Sequence, residues 1–462
     1  MPTARPNLLF VMTDHQRADS LGMTQAGVEV TPNLNRVAGE GTVFSRAYDT
    51  CPLCVPARTA LATGKYPTHN GVVFNDWRGL RAGDHKPLHQ CLHEAGYEVG
   101  HIGVHHIRVE PTLQDRVPFA VWLGKGEYNQ YLRETCTGGN KPDMSPFRRE
   151  VTEYLATGPR QTKYSSTGTA VWPYEARHFE DLWFCDAAVD FIERDHERPF
   201  ALFVYLWAPH PPLRVPEPYA SRFDPAELDL PPNVGVRAEG EPQNRRRGVP
   251  AQLAEGLTEK DWRKVWAAHL GLVNLADDGI GRILRALESA GFAENTFTVF
   301  TVDHGEHLGQ HSMYQKMEMY EQAIRVPLTV RGPGVKQQKV TTPVSHLDVM
   351  PTLLEMLELP AVDDLDGVTL RDVITAGTRA PERPIFCQFS GNPDIGEIRR
   401  AVVTERYKYV YDPDAVPELY DLTEDPLEMN NLSPNSGYRA TLEQLHQAGK
   451  EWAETHGDWV EF

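Results

Sequence analysis

The sequence predicts an α/β protein with a central mixed, mostly parallel sheet flanked by helices, followed by a small antiparallel subdomain at the carboxyl end. Three observations carry that reading. Short continuous apolar runs rich in Val, Phe and Ile alternate with segments of helical periodicity, the pattern of strands buried on both faces. Polar residues of the metal-ligand and acid–base types stand directly after four of those runs. Beyond residue 380 the long apolar runs give way to short strand-like segments and a last amphipathic stretch.

The elements follow in order. Residues 7–13 form the first predicted strand and run into Asp14-His15. Residues 97–104 lead to His105-His106, 200–208 to Pro209-His210, and 296–302 to Asp303-His304. In open α/β sheets sites form outside the carboxyl ends of the strands, so four distant segments are expected to deliver Asp and His to one edge. Residues 181–194 and 262–290 carry apolar side chains at helical spacing and charge on the opposite face. Residues 125–172 are poorly patterned and read as an insertion that shapes a pocket, while 214–249, rich in Pro and Arg, read as an irregular surface loop. Ala380-Pro-Glu-Arg-Pro384 reads as a linker between a domain of residues 1–380 and one of residues 381–462. In the second, short strands at 385–389, 400–404 and 407–411 precede a closing helix at 438–456.

Composition narrows the function classes. The 462 residues carry a formal net charge of −18 and no long basic run, which argues against a nucleic-acid surface. An anionic substrate would therefore need a local positive pocket working against the overall field. Six cysteines without regular spacing are no disulfide framework. No transmembrane span or signal peptide is visible, so the expected location is the cytoplasm, with no membrane partner. Patterning does not read an oligomeric state, and a homo-oligomer stays open.

The most informative segment is Cys51-Pro-Leu-Cys54-Val-Pro-Ala-Arg58, running into Thr-Ala-Leu-Ala-Thr-Gly-Lys65. Pro56 suits the first turn of a helix, residues 57–63 continue it, and Gly64 is a natural stop. Cys54 is thus expected at a helix N-terminus, where free N–H groups and the dipole favour an anion, with Arg58 one turn on adding a fixed charge. Cys51-x-x-Cys54 also fits a thiol–disulfide pair. Half a zinc site is the other bland option, but Cys91, Cys136, Cys185 and Cys387 supply no second pair at ligand spacing.

Cys54-Val-Pro-Ala-Arg58 resembles the Cys-x-Pro-x-Arg motif of the sulfatase family, within the alkaline phosphatase superfamily. Leu61-Ala-Thr-Gly-Lys65 is similar to that family's Leu-x-Thr-Gly-Arg. Lys316-Met-Glu-Met-Tyr320-Glu321-Gln-Ala-Ile-Arg325-Val-Pro327 and the later Glu418-Leu-Tyr-Asp-Leu422 extend the resemblance to nearly the whole chain. It implies an alkaline-phosphatase-like fold and maturation of Cys54 to formylglycine by a formylglycine-generating enzyme. It further implies one divalent metal on Asp14, Asp303, His304 and the matured Cys54, with His15 either a ligand or a hydrogen-bond partner of the substrate. Carboxylates with an imidazole suit calcium or manganese. The hydrated aldehyde would attack sulfur or phosphorus, Arg58 and Lys316 would stabilise charge, and His210 or His106 would protonate the leaving alcohol.

Two departures matter. The family usually has Asp-Asp where this chain has Asp14-His15. Gly103-Val104-His105-His106 stands where sulfatases show Gly-Lys-Trp-His, so a lysine is lost, and His105 is left to restore charge or to bind the leaving group. Phosphonate monoester hydrolases, close relatives, place a glutamine at the first position and tyrosine and threonine at the second, so this chain follows neither group fully. The expected activity is hydrolysis of small sulfate monoesters, with phosphonate monoesters or phosphodiesters as the alternative and thiol–disulfide exchange through Cys51 and Cys54 as a remote one. Trp77, Trp172, Tyr174 and Trp207 are candidates to line a sugar or aryl pocket.

Overall fold

A computed structural model describes residues 5–76, 79, 81–83, 85–136 and 144–462. Trp77, a sequence candidate for the pocket wall, lies outside them. The main sheet contains, in chain order, β1 (Asn7–Thr13), β2 (Thr42–Tyr48), β3 (Glu98–Gly103), β4 (Val121–Leu123), β5 (Phe200–Tyr205), β6 (Thr296–Val302), β7 (Arg325–Arg331), β8 (Gln338–Val340) and β9 (Val344–Ser345). Their spatial order is β8-β2-β7-β6-β1-β5-β3-β4, with β9 also pairing β2. β7 runs antiparallel to β6 and β2, and the other pairings among the described residues are parallel.

This order explains the site. β6, β1, β5 and β3 lie side by side and parallel, in register from Asn7↔Thr296 through Leu8↔Ala201 to Phe200↔Glu98. β1 and β5 are nearly continuous apolar runs, as strands covered on both faces are, and every residue of β1 and β6 is buried. The carboxyl ends of all four therefore open at the same edge. Backbone bonds extend the alignment past the strands: Asp14 donates to the Ala208 carbonyl, Asp303 to Thr13 and Val104 to Tyr205. At Gly103, φ is 103° and an added Cβ would sit 1.9 Å from the Tyr205 carbonyl oxygen, so only glycine lets β3 turn there against β5.

Five helices frame the sheet and its edge: α1 (Cys54–Thr63), α2 (Lys125–Thr135), α3 (Glu180–Glu193), α4 (Glu259–Ser289) and α5 (Arg439–Thr455). α4 starts at a capping box, Thr258 with Asp261, and buries Trp262, Trp266 and a run of Leu, Val and Ile. The C-terminal sheet is an antiparallel meander of β10 (Ile385–Phe389), β11 (Arg399–Val403), β12 (Tyr407–Tyr411) and β13 (Glu418–Asp421), with α5 packed on it. It is tied to the main sheet where Gln388 N–H donates to the Thr50 carbonyl and the Cys387 thiol to that of Asp49.

One expectation gains detail and another needs correcting. The poorly patterned stretch 125–172 holds α2 and a hairpin of Arg148–Leu155 with Gly158–Ser165, whose charged, half-exposed strands leave little apolar alternation to read. The stretch 214–249 is irregular, with short 3-10 turns, but not wholly surface. Its Arg245 is 1% exposed and gripped by Asp412 at 2.6 Å and Glu418 at 2.5 Å, because the loop is pinned beneath the C-terminal sheet.

Candidate active site

α1 begins at Cys54 itself, and Gly64 ends it in the left-handed conformation with its N–H on the Ala60 carbonyl. The Cys54 sulfur lies 3.3 Å from His304 Nε2, 3.9 Å from Asp14 Oδ1 and 2.9 Å from Lys316 Nζ. Asn75, which no sequence motif singled out, accepts from the Val55 N–H at 3.1 Å and helps hold the start of α1.

Beneath the sulfur, Arg58 bridges two carboxylates. Its Nη2 is 2.7 Å from Asp14 and its Nε 2.8 Å from Asp303, while Nη1 donates to the carbonyl of Val104. All three side chains are buried. Burial and the neighbouring Asp303 push Asp14 up to about 7. Asp303 suffers the same burial, but Arg58, His304 and Lys316 outweigh it and hold this carboxyl below its ordinary range.

Carbonyl and ammonium partners fix the histidine tautomers. His304 Nδ1 faces the Gly305 carbonyl at 3.1 Å, which only accepts, so Nδ1 carries the proton. Burial holds His304 down to about 3, so the ring is neutral and Nε2 presents a lone pair. That lone pair sits 3.7 Å from Asp14 and 3.7 Å from Asp303. Lys316 donates to His15 Nε2 at 2.7 Å, so His15 Nδ1 donates in turn to Glu306 at 2.7 Å. Burial alone would lower Lys316, but Cys54, Asp14 and Asp303 more than compensate and keep it charged. His15 takes φ 63°, an uncommon backbone choice for a non-glycine residue and one that clusters at functional sites.

The remaining candidates divide. His210 stacks on Trp207 at 3.8 Å, lies 4.5 Å from the His15 ring, and donates from Nδ1 to the Pro211 carbonyl. His106 lines the same cleft, edge-on to Trp207 at 6.0 Å. His105 does not join them: its ring packs against Trp122 at 5.0 Å and its Nδ1 accepts the Ile107 N–H. The cleft has a volume of about 650 Å³ and holds Cys54 at its wall. Trp172 and Trp207 line it, whereas Tyr174 packs edge-on against Trp172 at 5.0 Å. Glu306 and Lys125 were not read from the sequence. Glu306 closes the run Asp303-His304-Gly305-Glu306 after β6, yet its partner His15 is 291 positions away.

Asp14, Asp303, His304 and Cys54 offer donor atoms within 4.8 Å of one another, and Asp14, His15, Cys54 and His210 form an overlapping group. The first group fits a divalent cation by its chemistry. Two buried carboxylates, which Arg58 neutralises only in part, converge with an unprotonated imidazole nitrogen, a donor set that suits a divalent cation. Both Cys51 and Cys54 are free thiols raised by burial, Cys54 to about 12. Thiol exchange needs the opposite shift, so this geometry gives that reading no support.

The sulfatase family model matches residues 6–359. The chain belongs to the sulfatase family, the sulfuric ester hydrolases of the alkaline phosphatase superfamily. A second model, N-sulphoglucosamine sulphohydrolase, C-terminal, matches residues 309–454. An arylsulfatase of Clostridium perfringens is 28% identical over 96% of this chain and 93% of its own length. A multifunctional alkaline phosphatase superfamily protein of Trinickia caryophylli is 27% identical over 98% of this chain and 96% of its own. Among solved structures, the phosphonate monoester hydrolase of Silicibacter pomeroyi superposes with a TM-score of 0.80 at 23% identity, covering 98% of this chain and 96% of that one. This sulfatase therefore shares its fold with enzymes of both ester classes. No helix among its described residues is long and apolar enough to cross a membrane.

Proposed function

We propose that this sulfatase hydrolyses small sulfate monoesters, using a formylglycine at position 54 and one divalent cation, calcium or manganese, on Asp14, Asp303 and His304. One observation supports this above the rest. The position 54 side chain stands at the start of α1 with the carboxylate–imidazole group on one side and the Lys316 ammonium 2.9 Å away on the other. His15, whose lone pair Lys316 occupies, orients that lysine and stays outside the ligand set. The cation, when bound, withdraws charge from the ester oxygens and makes a neighbouring hydroxyl more acidic. Formylglycine, installed by a formylglycine-generating enzyme, supplies an aldehyde hydrate as nucleophile.

The chain's own residues do the rest. Arg58 holds both aspartates in place and neutralises them in part, leaving Asp14 Oδ1 facing position 54. Lys316 meets the nonbridging oxygens of the ester, where charge grows in the transition state. His210, fixed by its Nδ1–H on Pro211, keeps Nε2 for proton transfer to the leaving oxygen, and His106 completes that side of the cleft. Burial and Lys316 hold His210 well below its ordinary value, a shift that the charge of an anionic ester in the cleft would oppose.

A second reading, hydrolysis of phosphonate monoesters or phosphodiesters, is favoured by Val104, which places an apolar side chain where sulfatases keep a lysine. The test starts with the mass of the tryptic peptide of residues 47–58 from protein co-produced with a formylglycine-generating enzyme. The matured protein is then given aryl sulfate and aryl phosphonate esters, and its metal content is measured. Conversion of CH2SH to CHO, one tightly held cation and a higher kcat/KM on the sulfate are expected. A preference for the phosphonate selects the second reading. Full turnover by Cys54→Ala would defeat the nucleophile assignment, and unchanged metal content in Asp303→Asn would defeat the ligand set.

A further inference from the structure

The walls of the cleft carry a charge bias that the reacting group does not explain. Over the whole chain acidic residues outnumber basic ones, 64 to 46. Around the cleft the balance reverses: among the described residues, Lys125, Arg148, Lys163, Arg214 and Lys316 line it against the single carboxylate of Glu180. Lys316 serves the ester at the buried end. Lys125 is paired with Glu180 at 3.4 Å and lies 4.1 Å over the Trp207 ring. Three cations remain.

Among the described residues, none of those three has a carboxylate within ion-pair distance. Arg148 reaches the Ser165 hydroxyl at 3.4 Å, Arg214 reaches the Met144 sulfur at 3.9 Å and lies 5.9 Å over Phe147, and Lys163 stands cross-strand from Glu150 without meeting it. Arg148 and Lys163 are exposed and Arg214 is half-buried, so they form the outer rim while Cys54 lies at the closed end. Isolated exposed basic side chains are ordinarily solvated surface. Three on the rim of one cleft, without a carboxylate partner among the described residues, in a chain with 18 excess negative charges, form a local positive funnel instead.

A sulfate monoester carries one negative charge, and Lys316 and the cation already meet it. Trp172, Tyr128 and Phe179 line the same cleft, aromatic side chains against which a ring can pack. We infer that the leaving group of the substrate is a ring bearing a second anionic group, a carboxylate, sulfate or phosphate, which Arg148, Lys163 and Arg214 hold at the rim. The inference rests on the proposed esterase reading for the position of the ester, and the two have separable tests. Arginine at two of the three places suits bidentate capture of a planar or tetrahedral anion.

Two probes decide it: para-methylphenyl sulfate and para-carboxymethylphenyl sulfate, which differ at the far end of the ring. Binding is measured on the full chain with unconverted Cys54, which the proposed mechanism leaves unable to turn over, in the presence of calcium or manganese. Turnover is measured on the matured protein. The carboxylated probe is expected to bind about tenfold tighter at low salt, the advantage shrinking severalfold at about 0.5 M salt as screening shortens its reach. Arg148→Gln with Arg214→Gln should collapse the ratio towards one, and Lys163→Gln, at an exposed position that folding does not need, should reduce it. Equal dissociation constants for the two probes, or a ratio untouched by salt and by Lys163→Gln, would overturn the inference. Failure of the matured enzyme to turn over either probe would overturn the esterase reading alone, because the binding ratio is read without turnover.

Discussion

Arg58 makes its three contacts in three directions, to Asp14, to Asp303 and to the carbonyl of Val104, and only a planar fork can do so from one buried position. Arg58→Lys keeps the charge and loses the geometry. It is expected to destabilise the fold by about 3 kcal/mol, as breaking a buried ion pair does, and to lower kcat of the matured enzyme at least tenfold. Thermal unfolding and kinetics on an aryl sulfate check the two parts. Glu306 gives a finer test, because it acts through His15 on Lys316. Glu306→Leu leaves the His15 Nδ1–H buried without an acceptor, at a cost of about 1–3 kcal/mol. It also frees the ring that orients the lysine, so kcat should fall more than KM changes. Glu306→Gln keeps an oxygen acceptor and should recover most of the rate. Equal loss in both variants would show that Glu306 does not act through that hydrogen bond. The sequence displayed each of these residues within a motif, but not the chain Glu306–His15–Lys316, whose links span 291 and 301 positions.

The lysine itself rides on an irregular segment with non-glycine residues at positive φ, among them Leu308, His311, Gln315 and Met317. Such backbone persists only where its surroundings over-determine it. Those surroundings come from the C-terminal sheet: Arg399 on β11 lies 3.2 Å from Glu318 and donates to the Met317 carbonyl at 3.3 Å, while Arg245 stands 3.5 Å from Glu318 on the other side. Arg399→Met removes one jaw of that clamp and leaves Glu318 buried with less compensation. The expected result is a loss of about 3–5 kcal/mol together with a reduced kcat on aryl sulfate, measured by denaturation and by steady-state kinetics. An active-site rate that survives this destabilisation intact would mean that the segment is held by other contacts. At this scale the sequence was legible where burial is two-sided. β1 and β6 are buried along their whole length, and their predicted bounds, 7–13 and 296–302, agree with the structure. The hairpin of Arg148–Leu155 and Gly158–Ser165 was not, because a two-stranded ribbon off the main sheet buries too little to impose alternation. That ribbon supplies two of the three rim cations, Arg148 and Lys163, so much of the rim proposed to select the leaving group was also hard to read.

The whole molecule buries ionisable groups in two opposed sets, and their signs differ. Burial raises the carboxyls of Asp181 and Glu318 to about 7, so the folded chain binds protons that the unfolded chain has released, and their contribution to stability declines as pH rises from about 4 to 7. Burial lowers His89 and His269 to about 3 and His346 to about 4, and there the sign reverses. Their stabilising contribution is fully present above the unfolded value near 6.5 and is lost as pH falls towards 3, since the unfolded chain takes up a proton that the folded chain refuses. His269 is the cleanest probe of the second set. It lies on α4 away from the proposed ligands, 2% exposed, with burial as the main cause of its shift, Arg17 reinforcing it and Asp19 opposing it. Glutamine has a similar volume and does not titrate, so His269→Gln should remove one proton from the linkage and leave the packing nearly intact. Wild type should lose about 2 kcal/mol more stability than the variant between pH 6.5 and 4.5, read as the difference between their denaturant midpoints at the two pH values. Parallel pH profiles for the two proteins would mean that His269 is protonated in the fold, with Asp19 rather than burial setting its charge.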